Sequence, residues 1–289
     1  MWDAIRRLVQ TNELELIMYA LLLLLFLLES QVYSAMRLRA ESLREFASNV
    51  VAILLHNLGK YVFLPPLVVF YLWLFKFRVF DFGWNTIDFL VALILVDLTY
   101  YVHHRSMHRI GLLWAIHAVH HQPRFVNLSM ATRLSFFNKA LTYWFYLPLA
   151  LVGVPLPLLA FVGLVNGFYQ AMTHSRTWRL PTVLRLIFVD SRDHHLHHSR
   201  SQDVYDRNYG GMFSVWDRLF RTRAARSVSE KFDQDFLEGR VEYGLPGESG
   251  QPGVVNNPFW ANLYPVVMLG RNLRLRGLAA LWRPPVDGA

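Results

Sequence analysis

The stretch "IDFLVALILVDLTYYVHHRSMH", residues 87–108, begins as an apolar run and ends among histidines. Ile87 to Val102 approaches the roughly 20 residues that a helix needs to cross a bilayer. A helix there carries His104 and His108 just past its apolar part. The two lie four residues apart, so they share a face. Asp97, seven residues before His104, lies near the same face and at membrane depth, where a carboxylate is a functional residue by default. The expectation is a crossing helix that presents two imidazoles at the membrane edge.

Other stretches repeat the composition. Leu16 to Leu28 carries no charge and continues to Met36 with Glu29 as the one charged interruption; Val50 to Phe75 and Ala140 to Tyr169 are similarly apolar. The whole chain is 54% hydrophobic and 15% aromatic, above the soluble balance. The fold class expected is all-α: an integral membrane helical bundle with a histidine-rich di-metal cap. The first run does not read as a signal peptide, because it follows Glu13 and Glu15 and no small-x-small site closes it.

A net charge of +8 raises nucleic acid as a partner, yet no basic stripe accompanies a nucleic-acid-binding motif. The positive residues sit in loops: Arg37, Arg39 and Arg44 after the first apolar run, and Arg176, Arg179, Arg185 and Arg192 after the last. Anionic lipid and the positive-inside bias account for them. The cap is therefore expected on the cytoplasmic face of a bacterial inner membrane, or of the endoplasmic reticulum in a eukaryote, with no nucleic-acid partner. Cysteine is absent, which excludes disulfides and thiolate ligands.

Three zones follow. Residues 1–84 are N-terminal transmembrane segments joined by the charged connector "MRLRAESLREFA"; Pro65-Pro66 in the second predicts a kink or a short hairpin. Residues 85–222 hold every histidine cluster. Residues 223–289 are more polar, with loop signals "GLPGESGQPG" at 244–253, and end in "LGRNLRLRGLAALWRPP", which suits a membrane-peripheral tail.

Of twelve histidines, all but His56 lie between His103 and His198. "HRSMH" pairs His104 with His108. "HAVHH" groups His117, His120 and His121, and "HHLHH" repeats that spacing with His194, His197 and His198. Residues three and four apart meet on one helix face, and imidazole is the commonest metal-binding side chain. A single HxxxH pair says little; three clusters, two with one pattern, point to a metal site. With His174 in "QAMTHSR" as a ninth candidate, the nitrogens suit two ions with open positions rather than one closed four-ligand site. His103 and His195 fall about 100° off the shared faces and are expected to hydrogen-bond beside the site. If His121 and His174 meet, the apolar stretch between them must turn back, and "GVPLP" at 153–157 is the turn expected.

"DLTYYVHHRSMH", "WAIHAVHHQPRFVNLSMATR", "NGFYQAMTHS" and "HHLHHSRSQDVYDRNYGGMFSVWDRLFRT" together resemble the fatty acid hydroxylase/sterol desaturase superfamily, and within it the alkylglycerol monooxygenase branch. The resemblance runs from about residue 85 to 222. It implies a non-haem di-iron centre that uses O₂ to oxidise C–H bonds of lipids drawn from the bilayer, hydroxylating or, as a near variant, desaturating them. Carried over by position, the ligands are His104, His108, His117, His120, His121, His174, His194, His197 and His198. Asp97, Asn127, Arg133, Asp206, Asn208, Tyr209 and Asp217 match family positions near the site. Some members of the branch use tetrahydrobiopterin, but no motif here bears on that, and the electron donor is unidentified. The chain departs from the pattern at Asp193, where relatives carry histidine, and at His103, where an aromatic or aliphatic residue is usual. Asp193 could orient a ligand imidazole.

Some residues have blander readings. His56 suits packing, Asn127 and Arg133 suit loop capping as well as the site, and Tyr209-Gly-Gly suits a backbone constraint. The aromatics Tyr143 to Tyr146 suit a membrane-interface belt. A metal transporter or metal-binding protein is the alternative function. It is disfavoured because the clusters lie at helix ends among Arg105, Arg109, Arg124 and Arg192, whereas transporters hold ions at mid-membrane. A structural protein with a vestigial site is disfavoured by the complete set of nine histidines.

Overall fold

The computed structural model describes residues 2–11, 13–35, 39–201, 204, 206–245 and 251–282. Parts of the 36–47 connector, of the 244–253 loop and of the C-terminal basic segment lie outside them. Among the described residues every regular element is helical, with two isolated bridges, Phe188–Phe213 and Ser199–Tyr243.

The chain opens with α1 (Trp2–Gln10), whose Trp2 ring packs on Phe89 and Phe161. Next come α2 (Glu13–Ala35) and α3 (Arg39–Phe75). Pro65 and Pro66 lie inside α3, which is continuous through both, so the hairpin expected there is absent. Each proline removes one amide donor from the ladder, but an apolar surrounding offers the backbone no better partners than a helix.

Helix α4 (Thr86–Arg109) starts where the Asn85 side chain accepts from the Asp88 amide and ends at Ile110, whose extended backbone (φ −115°, ψ 119°) turns the chain straight into α5 (Gly111–His121). The return expected between His121 and His174 is asymmetric. Its first half is two five-residue helices, α6 (Asn138–Thr142) and α7 (Pro148–Val152), joined by a 3-10 turn at Tyr143–Tyr146. Gly153 then reverses the chain with φ 110°, where a Cβ would collide with the Phe80 carbonyl. Its second half is one helix, α8 (Leu156–Thr173), so the turn sits in "GVPLP" as expected.

Beyond α8 lie α9 (Ser191–His198), α10 (Val215–Leu219), α11 (Arg226–Leu237), α12 (Pro252–Val255), α13 (Pro258–Arg276) and α14 (Ala279–Trp282). Helix α11 packs against α9, and α13 against α5 and α3. The C-terminal zone therefore braces the histidine helices, while its Leu275, Leu278 and Trp282 are exposed.

Among the described residues, three helices are long and apolar enough to cross a membrane: Leu43–Phe75, Thr86–Arg109 and Leu156–Thr173. Their outer faces expose Leu54, Val62, Val69, Ile87 and Ile94, side chains that lipid rather than water would accept. Between α4, α7 and α8, Ala92, Leu93, Val96, Leu149, Val154, Leu158 and Val162 form a buried core with Met212. That core fixes the histidine-bearing ends of α4 and α8 relative to each other.

Candidate metal centre

Helices α4, α5 and α9, with the residue after α8, converge on two buried histidine groups. The first is His104, His108, His117, His121 and His197; the second is His120, His174, His194 and His198. Within each, the candidate ligand atoms lie within 4.8 Å of one another. The nine histidines singled out by spacing and resemblance are those nine. His56, His103 and His195 fall outside the groups.

The HxxHH spacing does not fill one cage per helix. His117 and His121 enter the first group and His120 the second; on α9, His194 and His198 enter the second and His197 the first. Successive helical residues diverge by about 100°, so the doublets His120-His121 and His197-His198 straddle the two cages. The cages share a wall, where the His121 and His198 rings stack with centroids 4.3 Å apart.

Hydrogen bonds at the outer ring nitrogens fix the tautomers. His104 Nδ1 donates to the Tyr209 carbonyl (2.9 Å), His120 Nδ1 to that of Arg133 (3.2 Å), His174 Nδ1 to that of Gln170 (2.8 Å) and His197 Nδ1 to that of Arg207 (2.8 Å). A carbonyl only accepts, so each of these rings carries its proton on Nδ1 and turns an Nε2 lone pair inward. The Nε2 atoms of His120 and His174 then face each other at 3.2 Å with no proton for either to share. His108 Nε2 and His197 Nε2 are buried without a hydrogen-bond partner. Protonation does not relieve the lone-pair contact. Burial holds both rings well below the ordinary histidine range, with each other's charge adding for His120, and His174 is lowered to about 3. A cation at each group does relieve it, and the donor set therefore fits bound metal.

The four further site candidates sit behind the histidines and do not line the cavity that reaches them. Asp97 is fully buried and accepts from the Met212 and Phe213 amides, Trp216 Nε1 and Asn166 Nδ2. Asn127 Oδ1 caps the Ser129 and Met130 amides. Arg133 is fully buried; its guanidinium donates to the Val119 and Val255 carbonyls, Ser48, Asn49 and Gln122, while its own carbonyl orients His120. Asp193 forms a capping box with Asp190 and an ion pair with Arg185 at 3.0 Å; burial pushes its carboxyl above the usual range although Arg185 pulls the other way.

The 206–213 loop supplies the carbonyls that orient His104 and His197. Asp217 holds it by accepting from the Tyr209 and Gly210 amides and the Thr222 hydroxyl. Asn208 (φ 57°) bends the chain there and accepts from the Ala224 amide. Gly211 passes so close that a Cβ would lie 2.6 Å from the Tyr100 ring and 2.8 Å from the Asp97 carboxylate. The constraint expected of Tyr209-Gly-Gly is thus one of close approach.

Two buttresses escaped the sequence reading as such. Glu29 accepts from the Leu128 and Arg176 amides and the Ser175 hydroxyl, and Glu45 from the Arg124 and Phe125 amides. They clamp the segments that follow His121 and His174. A lone carboxylate within an apolar run was the signal for Glu29. His195 makes the hydrogen bonds expected of it, to the Tyr243 hydroxyl (2.8 Å) and the His174 carbonyl (3.1 Å). His103 has no partner on either ring nitrogen and lines a cavity instead.

That cavity, about 580 Å³, reaches His104, His117, His120 and His174 and runs between largely apolar walls that include Val68, Leu159 and Leu164. Tyr143 and Tyr146 also line it, Trp144 is exposed and Phe145 packs on the Met107, Leu113 and Ile116 cluster, so the four-aromatic run divides between cavity wall, surface and core.

Residues 89–222 match the fatty acid hydroxylase family model. That stretch, a little under half of the chain, is similar to the fatty acid hydroxylase family. The chain is 35% identical over 158 residues to alkylglycerol monooxygenase of Danio rerio, covering 54% of this chain and 35% of that protein, and 33% identical over the same coverage to the Homo sapiens protein. An ornithine lipid hydroxylase of Rhizobium tropici is 31% identical over 56% of this chain and 49% of its own length. The chain thus spans less than half the length of these relatives. No solved structure matches it. The family match covers α4 through α10, the part of the fold that carries both histidine groups.

Proposed function

We propose that this protein is a membrane lipid hydroxylase that holds two iron ions in its two histidine groups and uses O₂ as co-substrate. The observation that carries the reading is the pair of enclosed imidazole cages with lone pairs turned inward by backbone carbonyls. Imidazole suits several metals; the lipid-oxidising activity named for the relatives favours iron over redox-inert zinc. When bound, the two irons supply the electrons and open coordination positions that let O₂ oxidise a C–H bond. The overall change is R–H + O₂ + 2e⁻ + 2H⁺ → R–OH + H₂O, so each turnover also consumes a two-electron donor. Tetrahydrobiopterin is one donor to assay.

The chain's own residues place and shield the reactants. The apolar walls of the cavity admit a lipid chain and exclude water, and they end at His104, His117, His120 and His174. Asp97, Asn127, Arg133 and Asp193 act as positioning residues through the segments they tie together. The length and apolar composition of α3, α4 and α8 support three crossings of the bilayer, and the positive-inside bias of the arginines flanking the histidines supports a cytoplasmic side for the cages.

The test is metal analysis of the purified protein together with O₂-dependent oxidation of a membrane lipid extract followed by mass spectrometry. Two equivalents of iron and oxidised lipid are expected, with both lost in His120→Ala and His197→Ala. Stoichiometric zinc without oxidation across a broad lipid panel overturns the reading, and metal flux into proteoliposomes would replace it with transport.

A further inference from the structure

The cavity also carries polar side chains that the hydroxylase reading does not use. Three charged side chains line the cavity: Glu15, Lys60 and Lys139. The chain has 29 basic residues, nearly all arginine, yet two of its few lysines face this one space. Lys60 pairs with Glu15 at 3.2 Å. Lys139 has no carboxylate partner among the described residues; its ammonium donates to the Tyr143 hydroxyl at 2.7 Å and lies 4.4 Å from that ring's centre. Two cations against one carboxylate leave the cavity one negative charge short.

His103 is the second observation. It lines the same cavity and is 8% exposed, with neither ring nitrogen hydrogen-bonded. Leaving a buried polar group unpaired is destabilising, and a ligand's oxygen relieves it. His103 is also near the metal groups: the Tyr100 ring meets both it and its chain neighbour His104, with centroids 5.9 Å and 5.2 Å away. A mostly apolar pocket with a few convergent polar groups is how a protein orients an amphiphile.

We infer that Lys139 and His103 form a recognition site for an anionic lipid headgroup, a phosphate or carboxylate, whose chain lies along the apolar walls of the cavity that also reaches the histidine groups. The inference rests on the reading that the cavity holds a lipid, and it narrows the substrate class to acidic amphiphiles. An ammonium and an imidazole N–H donate to the anion in charge-assisted hydrogen bonds. Glu15 keeps Lys60 occupied, which leaves Lys139 to meet the anion.

The test is equilibrium binding of two probes, hexadecyl phosphate and 1-hexadecanol, to the full chain in an uncharged detergent. It needs neither turnover nor added reductant, so it fails separately from the hydroxylase assay. Wild-type protein is expected to bind hexadecyl phosphate about tenfold more tightly than hexadecanol. Lys139→Met should erase that preference by weakening the phosphate alone, Lys139→Arg should keep it, and His103→Phe should reduce it. Lys76→Met, outside the cavity, should change neither probe. Equal wild-type affinity for the two probes overturns the inference even if Lys139→Met does not fold. So does a Lys139→Met protein that keeps the preference. Displacement of hexadecyl phosphate by an equal concentration of inorganic phosphate also overturns it, since that marks a free-anion site.

Discussion

Helices α4 and α9 carry the same cargo and position it by different means. Helix α4 is 24 residues long, capped by Asn85, and buries one side against α8. Its hydrogen-bond ladder holds His104 and His108 in its last turns. Helix α9 has eight residues, too few to stand alone, since isolated helices are marginal below about 12–15 residues. It is held from outside: by the Asp190–Asp193 capping box, by Arg185 reaching Asp190, Asp193 and Asp233, and by His195 reaching the His174 carbonyl. Imidazoles on a long helix inherit its rigidity, whereas those on a short one depend on every tertiary contact around it. Metal retention should therefore be more sensitive to changes near α9 than to changes along α4.

The strongest way to break that contrast is Arg185→Leu. Asp190 keeps its ion pair with Arg192, but Asp193 loses its ion-pair partner while remaining buried. Removing one partner of a buried pair costs about 3–5 kcal/mol, and the loss falls on the helix with the least support of its own. Thermal unfolding should show a large drop and metal analysis a loss of both proposed irons, because α9 contributes to both groups. Wild-type iron content in a clearly destabilised Arg185→Leu protein would mean that α9 holds its geometry without the ion network.

A smaller, more local change is Asp217→Asn. The carboxylate accepts from two amides and one hydroxyl, and an amide side chain must turn a donor toward at least one of them. The loop should loosen where Arg207 and Tyr209 present their carbonyls to His197 and His104. Loss of such outer partners lowers metal affinity by roughly 10–100-fold, which chelator competition would read, with little change in overall helix content. Unaltered affinity would show that the imidazoles hold their orientation without those carbonyls.

Much of this architecture was legible from residue spacing, because a helix turns by a fixed angle per residue. His104 with His108, His117 with His121, and His194 with His198 each share a face and a group. The crossing-over was not legible: that His120 joins His174 and His197 joins His104 depends on how α5 and α9 meet, which no local pattern encodes. The turn at Gly153 was readable from its Gly-Val-Pro composition. The continuity of α3 through Pro65-Pro66 was not, since two prolines weigh against helix by propensity and only the apolar surroundings decide otherwise. Arg185 and Tyr243 sit in stretches without any motif; their importance comes from tertiary position. Glu29 was visible as an oddity in an apolar run, and its role required seeing which amides it meets.

The mildest test addresses the other side of the contrast. Asn85→Ala removes the side-chain cap of α4, whose Oδ1 accepts from the Asp88 amide at 3.0 Å. Loss of such a cap costs about 1 kcal/mol, so a measurable fall in unfolding temperature is expected. The fraying should stay near the first turn, at the far end of the helix from His104 and His108 and insulated from them by the packed Ala92–Val96 segment. Iron content and chelator sensitivity should remain those of the wild type. If Asn85→Ala loses metal as readily as Arg185→Leu, then the long helix transmits disorder along its whole length. Rigidity would then belong to the bundle as a whole, not to helices according to their length.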